Sequence, residues 1–161
     1  MYNALLTTFV FLLFIHPLCD SSGTDPDPGE NHPHIIIFDD INQIDIKSDA
    51  VHISKADVEG HYLKLTVSYS GGCRDHDFAL FGWSGFAKSM PPQAEVYLSH
   101  NANGDMCEAY ITEEIIFDLL PLQHAYQKIF SDNGPFLINI YSAGVNEPFL
   151  PKPSYNFGDE Q

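Results

Sequence analysis

The chain is 161 residues long, 44% apolar and 13% aromatic, with 22 acidic side chains against 7 basic ones and a formal charge of −15. That length is one domain with appendages, and so apolar a composition argues against a wholly disordered chain. The charge excludes a nucleic-acid partner, whose phosphates are bound through counterions displaced by Lys and Arg, and it disfavours an anionic membrane surface.

From Ala4 to Leu18 the chain carries no charge. A membrane-spanning helix needs about twenty apolar residues, so this shorter run reads as the core of an export signal, and residues 1–19 are assigned to a signal peptide. Cys19 closes the run, where a bacterial lipoprotein carries its lipidated cysteine, although Leu18 and His16 stand where that pattern has a small and an aliphatic residue. Two outcomes stay open: a lipid on Cys19 that tethers the protein to a membrane, or cleavage nearby that discards it. Residues 20–34 are acidic and rich in Pro and Gly, a linker by composition. Asp25, Asp27 and Glu30 do not make a calcium loop there, because Pro26 and Pro28 break its register. His32 and His34 have no scaffold on which to hold a metal.

Residues 35–145 read as a β domain. Leu63, Leu65, Val67 and Tyr69 alternate with Lys64, Thr66 and Ser68, which is the period of a strand with one buried face. Ile44 and Ile46 alternate with Asp45 and Lys47 in the same way. Ala94, Val96 and Leu98 form a further inward set after Pro91 and Pro92. Phe136–Tyr141 follows the Asn133-Gly134 turn signal. Ile35–Phe38, Phe78–Phe81, Glu108–Thr112 and Ile115–Leu119 are weaker strands, and Leu120–Phe130 reads as a helix with Pro121 in its first turn. So many short strands between breaker clusters predict a mainly β fold, an antiparallel β-sandwich with one short helix, with a small β-barrel as the alternative. Residues 146–161, with Pro148, Pro151 and Pro153, read as an extended tail on the domain.

The unusual chemistry falls in two segments, Gly71 to Phe78 and His100 to Glu108. Each holds a cysteine and a histidine near a strand end. Without the leader, Cys73 and Cys107 are an even pair in an exported chain, which predicts a disulfide. The same residues allow a metal reading: Cys73, His76, His100 and Cys107 as four zinc ligands, or His76, His100 and Asp105 gathered beside the disulfide around a divalent cation. A third reading has each histidine donating to a backbone carbonyl. Asn101, Asn103 and Asp105 resemble the start of a calcium loop, but Met106 stands where it needs Gly, so an Asn-Gly turn is expected. Gly82 to Phe86 lacks the spacing of a nucleophile elbow, and the acidic pairs Asp75/Asp77 and Glu113/Glu114 have no facing acid to make a glycosidase.

The strings GGCRDHDF, PPQAEVYLSHNANGDMCEAY and IIFDLLPL resemble a family of exported, often lipid-anchored bacterial proteins of uncharacterised function. The resemblance covers about residues 60–125. It implies that Cys73, His76, His100, Asp105, Cys107 and Glu108 form one constellation, and it supplies no activity. The expectation is an exported, non-enzymatic periplasmic or envelope module with no cofactor, binding an unknown protein or small molecule. A metal-binding protein is the alternative and a hydrolytic enzyme a remote one.

Overall fold

The structure, a computed structural model, describes residues 31–142 and 145–158. The export signal, Cys19 and residues 20–30 of the linker lie outside the described residues.

Among the described residues eight strands and one α-helix follow in chain order: β1 (Ile36–Phe38), β2 (His52–Glu59), β3 (Tyr62–Gly71), β4 (Asp77–Ala87), β5 (Gln93–Asn101), β6 (Ala109–Asp118), α1 (Leu120–Ile129), β7 (Phe136–Ser142) and β8 (Ser154–Tyr155). They form two packed sheets, one of five strands in the order β1-β4-β5-β7-β8 and one of three in the order β2-β3-β6. This is the mainly β sandwich with one short helix that the alternation predicts. Leu63, Leu65 and Val67 of β3 face Ala94, Val96 and Leu98 of β5 and Ile138 and Ile140 of β7, all 0% exposed. Each Leu or Ile so buried contributes about 1.5–3 kcal/mol.

The three-stranded sheet is antiparallel throughout. The five-stranded sheet is mixed rather than antiparallel as the sequence reading expects, because β1 joins β4 and β5 joins β7 in parallel. Both parallel pairs arise where the chain leaves for the other sheet and returns: β2 and β3 intervene in the first case, β6 and α1 in the second. A parallel pair needs a connection of that length.

Three departures from the sequence reading have local causes. Ile44–Lys47 is not a strand. A short 3-10 turn at Ile41–Gln43 precedes it, and only the end of the segment reaches β5, where His100 donates to the Lys47 carbonyl and accepts from the Asp49 N–H. That edge is free there because the pairing of β7 with β5 ends at Leu98 and Ser142. The strand β2 escapes alternation because it contains a bulge: Ile53 pairs with Val67 and Lys55 with Thr66, leaving Ser54 as the extra residue. Ile53 on one parity and Ala56 and Val58 on the other therefore reach the same face. Glu108–Thr112 and Ile115–Leu119 are parts of one strand, β6, interrupted in pattern by Glu113 and Glu114 but not in hydrogen bonding.

At one end of the sandwich α1 buries Leu122, Ala125 and Tyr126, and Tyr126 packs on Phe86, Phe130, Phe136 and Phe157. Asp118 accepts from the Leu120 N–H at 2.8 Å, and its other oxygen lies 2.8 Å from Nδ1 of His34. His34 thus has a partner on the domain, contrary to the reading of it as unscaffolded. The tail is likewise docked: Ser154–Tyr155 pairs with β7, and Tyr155 is 3% exposed.

Candidate functional site: a buried histidine pair behind the disulfide

The other end of the sandwich is where β3 and β5 finish and β4 and β6 begin. β5 ends in a turn at Ala102–Asp105, closed by the Asp105 N–H on the Ala102 carbonyl at 2.9 Å. Asn103 and Gly104 take φ of 52° and 67° in it, the left-handed values an Asn-Gly turn requires. Asn103 fixes the turn to the neighbouring loop, donating to the Asp75 carbonyl and to the Asp77 carboxylate at 2.9 and 2.8 Å. Cys73 and Cys107 form a disulfide across the two loops, with Cα atoms 5.9 Å apart.

Asp105 sits between the half-cystines. One of its oxygens accepts from the N–H of Cys73 at 2.9 Å and of Arg74 at 3.0 Å, and the other from the N–H of Cys107 at 2.8 Å. These donors, that of Cys107 foremost, hold its carboxyl well below the ordinary carboxylate range, against an opposing effect of burial. The same carboxylate lies 3.4 Å from Nε2 of His76. On the far side of that ring, Nδ1 of His76 is 2.8 Å from Nε2 of His100, whose Nδ1 is 3.2 Å from the Asp49 carbonyl.

The hydrogen-bond partners assign the protons. A carbonyl only accepts, so Nδ1 of His100 carries its proton and donates to Asp49. Burial, the largest influence on His100, pushes its pKa down and favours this neutral form, whose Nε2 can only accept. His76 must then donate through Nδ1, and its Nε2 faces a carboxylate that also accepts. The series thus runs from the Asp105 carboxylate through His76 and His100 to the Asp49 carbonyl.

Aromatic rings enclose the pair. Tyr69 stacks on His76 at 4.5 Å between centroids, and Phe78 lies parallel to His100 at 4.6 Å. Tyr69 donates to Glu113 at 2.7 Å, and burial first, then that bond, pushes its phenol up to about 12. Gly71 is needed for this closeness: a Cβ there would stand 2.6 Å from Nε2 of His76 and 3.2 Å from the Asp105 carboxylate.

The structure therefore brings together Cys73, Cys107, His76, His100 and Asp105. Glu108 is exposed beside them without a place in the hydrogen-bonded series. The four-ligand zinc reading is overturned, since both sulfurs are spent in the disulfide. Among the described residues, Cys73, Asp105 and Cys107 are the group whose ligand atoms lie within 4.8 Å of one another, and the same bond removes it as a metal site. His76, His100 and Asp105 do not converge either: Asp105 and His100 meet opposite nitrogens of one ring, in a line rather than around a point. A divalent metal is thus unsupported by this geometry. The histidines are not separate caps on backbone carbonyls, because only His100 has such a partner. Sequence reasoning missed Asp49, Tyr69 and Gly71; the signal available for Gly71 was a glycine ending a strand two residues before a cysteine.

The side chains of His76 and Asp105 are 1% and 0% exposed, and His100 is 0% exposed. No solute reaches these nitrogens. What the arrangement does chemically is internal: it gives a buried carboxylate and two buried imidazoles their hydrogen-bond partners and ties both loops to the sheet ends.

No protein-family model and no curated protein matches the chain. Solved structures do share its fold. A NigD-like immunity protein from Bacteroides caccae matches with a TM-score of 0.53 at 17% identity, over 79% of this chain and 64% of that one. A candidate toxin-related protein from Parabacteroides distasonis matches at 0.54 and 18%, over 78% and 61%. A candidate lipoprotein from Bacteroides fragilis matches at 0.56 and 9%, over 81% and 72%. The chain spans under two thirds of the length of the first two. At these identities the likeness is one of fold: the chain is a small, two-sheet β protein of the architecture those bacterial proteins share.

Proposed function

We propose that this chain is an exported, non-enzymatic β-sandwich module of the cell envelope that binds a protein partner of basic charge. The observation that carries the reading is the Cys73–Cys107 disulfide, built into a buried polar cluster. Such bonds persist in oxidising compartments and are rare in the cytosol. The fold shared with a candidate lipoprotein supports the envelope, and the fold shared with a NigD-like immunity protein supports a protein as the partner. The excess of 22 acidic over 7 basic residues supports a basic one. Among the described residues no helix is long and apolar enough to cross a membrane; the attachment proposed is through a lipid on Cys19.

Cell fractionation with intact-mass analysis tests this. The expected result is a mature chain beginning at or near residue 19, both of Cys73 and Cys107 oxidised, and a diacylglycerol adduct if Cys19 is retained. A cytosolic chain that keeps Met1 and two free thiols overturns it.

A further inference from the structure

The outer face of the five-stranded sheet is aromatic where strand alternation calls for polar residues. Ala94, Val96 and Leu98 point into the core, so Glu95 and Tyr97 point out, and Tyr97 pairs across the ladder with Phe81 and with Tyr141. On the same face Phe38 pairs with Trp83. The rings make a continuous row: Trp83 to Phe38 at 5.3 Å, Phe38 to Tyr97 at 6.1 Å, and Tyr97 stacked on Tyr141 at 5.3 Å. The inner face alone suffices for the sandwich, and a sheet packed on one side leaves its other side to water. Within the row Phe38 and Phe81 are buried, Tyr97 and Tyr141 half-buried and Trp83 and Glu95 exposed, and the exposed part marks a contact surface.

Its charge indicates what it contacts. Glu95 lies in the row, accepting from the Tyr97 hydroxyl at 3.1 Å and lining, with Trp83, a cleft of about 250 Å3. Burial first, then the hydrogen bond to Glu95 and its charge, push the Tyr97 phenol up to about 12, and burial followed by the same charge raises that of Tyr141. Lys47, Lys55 and Lys64 are engaged by Asp45, Asp57 and Glu59, and Lys152 donates to Gln93. Among the described residues no cation pairs with Glu95. Ring faces carry negative potential, and a carboxylate among them adds to it, so both attract a cation and neither is needed for a neutral ligand. Guanidinium groups stack on such faces while pairing with carboxylates.

We infer that Trp83, Glu95, Tyr97 and Tyr141 form a docking surface for arginine side chains of a basic protein segment. This rests on the reading of the chain as a binding module and names the chemistry of its partner.

Trp83 is the single tryptophan of the chain, so its emission reports on the surface directly. Titration with N-acetyl-hexaarginine amide is expected to give a saturable change in Trp83 emission. Glu95→Gln and Tyr141→Leu are expected to weaken it about three- to tenfold, while Glu114→Gln, an exposed acid of the other sheet, leaves it unchanged. No saturable change overturns the inference. Equal weakening by Glu95→Gln and Glu114→Gln does so too, since it reports diffuse charge, as does a stronger response to a neutral oligosaccharide such as cellohexaose. Each of these results leaves the export and disulfide of the mature chain standing, whereas a cytosolic, reduced chain fails the earlier reading whatever the peptide does.

Discussion

Nδ1 of His76 lies 2.8 Å from Nε2 of His100, 24 residues further along the chain, and neither side chain exceeds 1% exposure. A histidine–histidine hydrogen bond fixes one ring as donor and the other as acceptor. Here the carbonyl of Asp49 sets the roles: it keeps the proton of His100 on Nδ1, so His100 accepts and His76 donates. The pair therefore depends on both loops at once, and its loss is measurable.

Replacing His76 by Ala leaves Nε2 of His100 and a buried carboxylate oxygen without their partner. The expected cost is about 1–3 kcal/mol, read as a lower urea midpoint with an unchanged slope. His100→Ala costs a similar amount. The double variant falls short of the sum by at least about 0.5 kcal/mol, since the two act through one bond.

Gly71→Ala introduces a methyl group 2.6 Å from the His76 ring. It is expected to displace that ring and destabilise the protein in the otherwise unchanged chain. In a His76→Ala background the main obstacle is gone, only the Asp105 carboxylate remaining at 3.2 Å, and the same substitution should cost much less. Equal effects in both backgrounds would place the cause in the backbone of β3 instead.

Acid acts in two windows. The folded-state pKa of His100 is depressed, so below the ordinary value of 6.5 the unfolded chain binds a proton that the folded one refuses, and stability falls from there downward. Asp105 is also depressed, so its contribution is complete above 3.8 and is lost as the pH drops beneath that value. Urea midpoints taken from pH 8 to pH 2 should show both declines. His100→Gln should remove the first, and the gap between the wild type and Asp105→Asn should close across the second.

The disulfide closes a loop of sequence separation 34, for which chain entropy gives about 3–4 kcal/mol. A Cys73→Ser, Cys107→Ser protein should lose stability of that order. It should also lose the slow hydrogen exchange of the amides of Cys73, Arg74 and Cys107, which are held by Asp105. Retained protection of these amides in the variant would show that Asp105, not the sulfur bridge, holds the loops.

Much of the sandwich is legible in the chain because β3, β5 and β7 keep strict alternation over a fully buried face. Where the reading fails, a local irregularity hides the period. Ser54 shifts the parity of β2, and Glu113 occupies the inward face of β6 between Ile111 and Ile115. At the site, the cysteines and histidines identify themselves by residue type and by nearness to strand ends. Their linear order does not, because it depends on Asp49, which lies just past the Ile44–Lys47 segment that alternation misplaces as a strand. The aromatic outer face is likewise invisible to a search for buried faces: Tyr97 and Tyr141 sit at positions where the pattern expects polar residues, and only the ladder shows that they meet.

Sheet edges bear on how copies of the chain behave at high concentration. β1 and β8, the edges of the larger sheet, have three and two residues, too short to template another strand, and β2 is kinked by its bulge. The remaining edge, β6, is ten residues long, and among the described residues only its end at Asp118 is covered, by the backbone of Pro33 and Ile35. Glu113 pointing inward and Glu114 pointing outward charge both of its faces, so a second copy laid against it would bring carboxylates together on each side. The residue that disrupts the hydrophobic pattern of β6 is thus also a gatekeeper against edge-to-edge aggregation.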